Sequence, residues 1–146
     1  MVGFLDRHLT KQERKEIVNA IIEAEKMTSG EIRVHLQKKC KKDALQEAKR
    51  VFHRLKMHKT KHRNGVLIFI AFESRQFAIL GDRAIHGHVG DSFWNESRDK
   101  IASYFVKGKI KEGIAAGVLS VGEKLKVHFP LGNEDKNELS NKLTEG

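Results

Sequence analysis

The chain has 146 residues, of which 39% are hydrophobic and 32% are charged, and its formal net charge is +9. This length and composition predict one globular domain with its own core and argue against a disordered or two-domain chain. No apolar run approaches the roughly 20 residues of a membrane helix, and the single Cys40 excludes an internal disulfide. Because Met1–Thr10 also lacks the pattern of a signal peptide, we expect a monomeric cytoplasmic protein without membrane association.

Hydrophobic spacing predicts two helices and a strand in the first part of the chain. Thr10 and Glu13 form a capping-box pattern at the start of a helix that is expected to end near Ser29–Gly30. Apolar and polar residues then alternate over 32–37, which predicts a strand with one solvated face. A second helix is predicted after Asp43. Its apolar positions are Leu45, Ala48, Phe52 and Leu55.

The second part of the chain predicts a hairpin followed by two helices. Residues 66–72 are continuously apolar, as in a strand buried on both faces, and residues 77–80 are expected to return antiparallel. One helix should end before Gly108, and a longer one over 110–129 should stop at Pro130. Glycines in the longer helix are expected to allow close packing on a neighbour. We assign 1–130 to the α/β domain and 131–146 to a flexible polar tail.

This element order predicts the α/β class, with a three-layer α/β/α sandwich around a small mixed sheet. The first two strands are joined by a helix and should be parallel, with a right-handed crossover. The starts of these strands and the end of the third should therefore meet at one edge of the sheet. The stretch LGDRAIHGHVGDSFW (80–94) continues over the same edge.

The loops that meet at this edge carry a candidate binding site. These loops carry Glu31, Asp82 and Asp91, and carboxylate, amide and carbonyl oxygens suit a hard cation such as calcium or magnesium. Further residues are candidates for contact with a ligand or a phosphate group. They are Ser29, Gly30, Arg63, Asn64, Gly65, Gly81, Arg83 and His86. The pair His86 and His88 is weak evidence for zinc, because no cysteine pair or HExxH pattern accompanies it.

Each of these residues also has a structural interpretation. The glycines are frequent in turns, and Asp82 or Asp91 could cap the following helix. Glu31 could be a solvated acid at a strand edge, and Trp94 is expected in the core. Cys40 lies among lysines that favour its thiolate, but it is expected to be an incidental exposed thiol. The case for a site therefore depends on the convergence of the loops.

The excess of positive charge is confined to one segment. Between Lys38 and Arg63 there are eleven Lys or Arg and two acids, whereas the rest of the chain is balanced. The segment could be a solvated basic face or could bind nucleic acid. Aromatic residues for base stacking are nearly absent from it, which argues against nucleic acid.

No phosphate-binding glycine loop or serine-nucleophile motif occurs in the chain, so phosphate chemistry would need a metal-activated water.

Four stretches of the sequence resemble the TPM domain family, in its short bacterial branch. They are TSGEIRVHL (28–36), MHKTKHRNGVLIFIA (57–71), FAILGDRAIHGHVGDSFW (77–94) and GIAAGVLSVGEKL (113–125). The family is named for a thylakoid-lumen acid phosphatase, a photosystem II repair protein and an acetylcholine-receptor modulator. The resemblance implies an α/β/α sandwich with a divalent-cation site, often calcium, in the loops at one sheet edge. It maps the loop acids onto Asp82 and onto Glu31 or Asp91, and some members are phosphatases.

Together these observations predict a protein that binds a divalent cation and hydrolyses phosphomonoesters with its help. Two alternatives stay open. The first is a non-catalytic module that binds a protein partner, because no nucleophile motif is present. The second is nucleic-acid binding through residues 38–63.

Overall fold

The computed structural model describes residues 8–131 and 143–145, except for a few side chains within them. The helices are α1 (Lys11–Glu25), α2 (Ala44–Arg54), α3 (Arg83–Val89), α4 (Asn95–Phe105) and α5 (Ile110–His128). The strands are β1 (Glu31–Gln37), β2 (Gly65–Ala71), β3 (Gln76–Gly81) and the short β4 (Thr144–Glu145). Two 3₁₀ turns span Met57–Lys59 and Asp91–Trp94.

The sheet has the strand order β3-β2-β1-β4 and the predicted mixed pairing. β1 and β2 are parallel, with Glu31 opposite Gly65, and β3 returns antiparallel to β2, with Gly81 opposite Val66. β4 pairs parallel with β1. The predicted polar tail lies outside the described residues for most of its length, but Thr144–Glu145 forms a strand within it.

Two apolar clusters lie on opposite faces of the sheet and make the predicted three layers. On one face, Ile32, Val34 and Leu36 of β1 pack with buried residues of α1, α4 and α5. On the other face, Leu67 and Phe69 of β2 pack with α2. Every residue of β2 is buried, as its apolar sequence predicts. The α/β/α sandwich is therefore confirmed.

The first helix begins as predicted but ends earlier than predicted. The capping box between Thr10 and Glu13 is present, with both hydrogen bonds at 3.0 Å. The helix ends at Glu25, not at Ser29–Gly30. The reason is that Thr28 and Ser29 bond the end of α5: the Ser29 N–H and the Thr28 hydroxyl both donate to the carbonyl of Phe129. These bonds require an extended backbone.

Two further local predictions were wrong. The polar face of β1 is not solvated, because His35 is fully buried and its ring contacts Thr144 and Gln37 at 2.8 and 3.2 Å. In α2, Leu45 points outward and is 41% exposed, while Val51 takes its place in the core. The helix after Asp43 is otherwise confirmed, with the Asp43 carboxylate accepting the Gln46 N–H.

Glycines of α5 allow close packing, as predicted. A Cβ on Gly122 would lie 2.8 Å from Cβ and 3.1 Å from Cα of Ala24 in α1. We expect Gly122→Ala to lower the free energy of unfolding by about 1–2 kcal/mol, because backbone cannot yield as a side chain can. Gly87→Ala in α3 is the matched control: nothing lies within 4 Å of its Cβ, so the change should stabilise by up to about 1 kcal/mol. Urea denaturation of both variants tests this, and equal effects would contradict it.

Candidate functional site

Three loops meet at one edge of the sheet, as the topology predicted. The Glu31 N–H donates to the carbonyl of Asn64 at 3.3 Å, and the Asp82 N–H donates to that of Gly65 at 2.8 Å. The Ala84 N–H donates to the Arg63 carbonyl at 3.2 Å. The loop edge, as we call residues 28–31, 62–65 and 81–84, is therefore one hydrogen-bonded unit.

Asp82 is the most tightly held side chain of the loop edge. Its side chain is 5% exposed, and it accepts from Arg63 through both oxygens: Nε to Oδ2 at 2.9 Å and Nη2 to Oδ1 at 3.0 Å. It also accepts the Arg83 N–H at 2.7 Å, which makes it the N-cap of α3. The capping interpretation of Asp82 is thus confirmed. The hydrogen bond to Asp82 raises the pKa of Arg63, so the guanidinium stays charged.

Glu31 lies in the loop edge, but its carboxyl is engaged elsewhere. It is 4% exposed, so the interpretation as a solvated acid is wrong. Its carboxyl lies close enough to that of Glu25, at the end of α1, to act on the pKa of Glu25, and Oε2 of Glu25 accepts the Ile32 N–H at 2.9 Å. Burial, followed by the nearby Glu31, raises the pKa of Glu25 to about 8. The sequence analysis missed this carboxyl pair.

The described side chains do not assemble the predicted three-acid metal site. Among residues 8–131 and 143–145, no group of three or more His, Cys, Asp or Glu side chains could hold a metal ion. Asp91 begins a 3₁₀ turn after α3, but its side chain, like that of His88, lies outside the described part. The roles of Asp82, Glu31 and Asp91 as metal ligands stay predictions.

The other candidate residues divide into packed and exposed groups. Asn64 is buried, and its amide donates to the Ser29 hydroxyl at 3.4 Å. A Cβ on Gly30 would meet Leu125 at 2.8 Å, and one on Gly81 would meet Ile85 at 3.1 Å. Gly65 is buried at the start of β2, whereas Arg83 and His86 are exposed on α3. Side chains of the protein therefore fill the space over Gly30 and Gly81.

Two buried polar groups in the segment before Arg63 were not predicted from the sequence. The Thr60 hydroxyl and Nδ1 of His58 are buried without a hydrogen-bond partner in the described part of the chain. The Arg63 N–H donates to the Thr60 carbonyl at 3.3 Å, which places Thr60 in the same turn. Burial, followed by the charge of His53, lowers the pKa of His58. Both residues stand in MHKTKHRNG, but their spacing matches no ligand motif.

Trp94 and Cys40 are both buried. Trp94 is 5% exposed and belongs to the core, as expected. Cys40 is not an exposed thiol, because it is 7% exposed and its Sγ–H donates to the Lys42 carbonyl at 2.8 Å. Burial raises the pKa of this thiol, which opposes the thiolate that the neighbouring lysines were expected to favour.

In the part of the chain that the structure describes, no helix is both long and apolar enough to cross a bilayer.

Comparison with known proteins identifies the family. The model of the TPM domain matches residues 5–124. Among solved structures, the NMR structure of the BA42 protein from the psychrophilic bacterium Bizionia argentinensis is 46% identical and superposes with a TM-score of 0.89. The match covers 94% of this chain and 95% of that one. No functionally curated protein matches the chain. The chain belongs to the TPM domain family.

Proposed function

We propose that the loop edge binds a divalent cation at the Asp82 carboxylate, in exchange for Arg63. The observation that carries this proposal is the ion pair itself. A nearly buried carboxylate already holds a cationic group through both oxygens, and that group's side chain is 33% exposed. The guanidinium thus stands where a metal ion would, and it can turn toward water when another cation competes.

A donor set with one carboxylate suits a cation that keeps part of its water shell. One carboxylate is available, and the Thr60 hydroxyl adds a buried oxygen in the same turn as Arg63. Magnesium is typically held by one or two carboxylates together with water and a substrate phosphate, whereas calcium takes six to eight oxygens. We therefore expect weak binding of both ions. Calcium was favoured by the family resemblance, but magnesium suits this donor set better.

The same exchange would provide a phosphate-binding group. An arginine released from Asp82 can bind phosphate oxygens through two parallel N–H groups, beside His58 in the adjacent turn. A bound cation would polarise the phosphoryl oxygen and lower the pKa of a bound water. This arrangement supports a phosphomonoesterase as the activity to be tested. The chain's own part is to hold the phosphate through Arg63.

A cation titration with three variants tests the proposal. Asp82→Asn keeps the helix cap but removes the charge, so binding of Mg²⁺ and Ca²⁺ should be lost. Arg63→Gln removes the competing guanidinium, so affinity should rise about tenfold. Asp43→Asn changes another helix-capping aspartate far from the loop edge and should have no effect. Amide NMR shifts at residues 60–65 and 81–84 report the binding.

The outcomes separate the candidate functions. Unchanged affinity in Arg63→Gln would contradict the exchange, and shifts scattered over surface acids would remove the site. If the cation binds but p-nitrophenyl phosphate is not hydrolysed, the non-catalytic interaction module becomes the better candidate. Turnover that survives both Asp82→Asn and a chelator would come from a contaminating phosphatase.

A further inference from the structure

A cavity lies at the opposite end of the sheet from the loop edge. It has a volume of about 690 Å³ and lies between the β2–β3 hairpin and the turn from α4 to α5. This volume is within the range of roughly 300–1,000 Å³ that is usual for small-molecule sites. Because it shares no residue with the loop edge, it is independent of the proposed function.

The walls of this cavity are mainly apolar. They are formed by Ile70 in β2, Phe72 directly after that strand, Phe77 in β3, Phe105 in α4 and Ile110 at the start of α5. The rings of Phe77 and Phe105 meet edge to face, with centroids 5.7 Å apart. Val106 also lines the cavity and is 84% exposed, so an apolar side chain meets solvent at its opening. An apolar ligand would remove this surface from water.

The described wall of the cavity carries one guanidinium and no lysine. Arg75 lines it from the hairpin, and His8 lines it with its ring stacked on Phe72 at 4.5 Å. No carboxylate occurs among the described residues of the wall. Arg75 forms no ion pair with an acid in the described part of the chain. The nearby Glu73, in the same turn, contacts Lys38 and Lys39 instead. Apolar walls beside an available guanidinium are complementary to a molecule with an apolar body and one anionic end.

We propose that this cavity binds a small amphipathic carboxylic acid, with its apolar body against Phe72, Phe77 and Phe105 and its carboxylate at Arg75. The phenyl rings exclude water from the body of the ligand, and the guanidinium fixes its orientation. Because the hairpin and the α4–α5 turn both contribute, binding would join two surface segments at this end of the sheet.

Titration with decanoate, below the concentration at which it forms micelles, tests the proposal on the full chain. We expect saturable amide shifts at Phe72, Phe77 and Val106. Arg75→Gln should weaken decanoate about tenfold but leave decanol unchanged, because only the charged end loses its partner. Arg54→Gln, an exposed arginine on α2 away from the cavity, is the matched control. Ala102→Phe should fill the cavity and abolish binding of both probes.

Two results would overturn the proposal. The first is the absence of saturable decanoate binding to the full chain. The second is equal loss of decanoate and decanol in Arg75→Gln, which would show that the guanidinium does not select the anion. If Ala102→Phe does not fold, the Arg75→Gln comparison decides the question alone.

Discussion

Replacing Asp82 with alanine should lower the free energy of unfolding by about 2–3 kcal/mol. The change removes two Arg63 bonds and the cap of α3 together. Removing one partner of a buried ion pair costs about 3–5 kcal/mol, because the other charge is left without compensation. The cost here is lower, since the Arg63 side chain is one-third exposed and can be hydrated. Urea denaturation at neutral pH without added divalent cation measures it.

Asp43→Ala separates the two contributions to this loss. Asp43 also caps a helix, by accepting the Gln46 N–H at 3.3 Å, but it is exposed and forms no ion pair with another described residue. Its replacement should cost only about 1 kcal/mol, as for other N-caps. The difference between the two variants then gives the contribution of the Arg63 bonds. Equal losses would show that Asp82 acts as a cap alone.

Replacing Glu25 with glutamine should make the protein more stable above pH 8 by about 2 kcal/mol and change little at pH 4.5. Its pKa is raised from 4.5 to about 8 in the folded state, so between these values the folded protein holds a proton that the unfolded chain has released. Stability of the native protein therefore falls as pH rises through this window. The magnitude allows for solvent access to a carboxyl that is not fully buried. Glutamine keeps an oxygen for the Ile32 N–H.

The measurement is the urea midpoint between pH 4.5 and 9. Glu23→Gln is the control, because that carboxylate is exposed and bonds Lys26 at 3.0 Å on the surface. Its curve should run parallel to that of the native protein. Since the nearby Glu31 contributes to the raised pKa of Glu25, Glu31→Gln should flatten the curve as well. A native curve without the decline would contradict the raised pKa.

The fold was predicted well because the patterns that indicate it lie within short stretches of the sequence. The spacing of hydrophobic residues shows which segments are helices and which are strands. The capping box at Thr10 marks the start of α1, and the continuous apolar run of β2 marks a strand buried on both faces. The helix between β1 and β2, and the short turn before β3, then leave few possible topologies. The predictions that failed concern contacts between residues that are far apart in the sequence. The end of α1 is set by the Phe129 carbonyl, about a hundred residues away, which no local pattern contains.

The convergence of the three loops was predicted, but the contacts between their side chains were not. Convergence of the loops followed from strand direction, and Arg63 and Asp82 were both named. Their pairing was not predicted, because residues 19 positions apart on separate loops leave no periodic pattern. The Glu25–Glu31 contact was missed for a related reason. The expected end of α1 near residue 29 left Glu25 inside a helix, whereas the actual end directs its carboxyl to the edge of β1.

The two-sided character of β1 has a consequence for how the sheet avoids misaligned pairing. Ile32, Val34 and Leu36 enter the core, while Arg33 and His35 face the other side. A shift of one residue would bury the Arg33 guanidinium in the apolar cluster, and it would separate the His35 ring from Thr144 and Gln37. β2 offers no such discrimination, because both of its faces are apolar. The alternation in β1 therefore decides the alignment of its partner strand, and substitutions that make β1 uniformly apolar would permit shifted pairings and self-association.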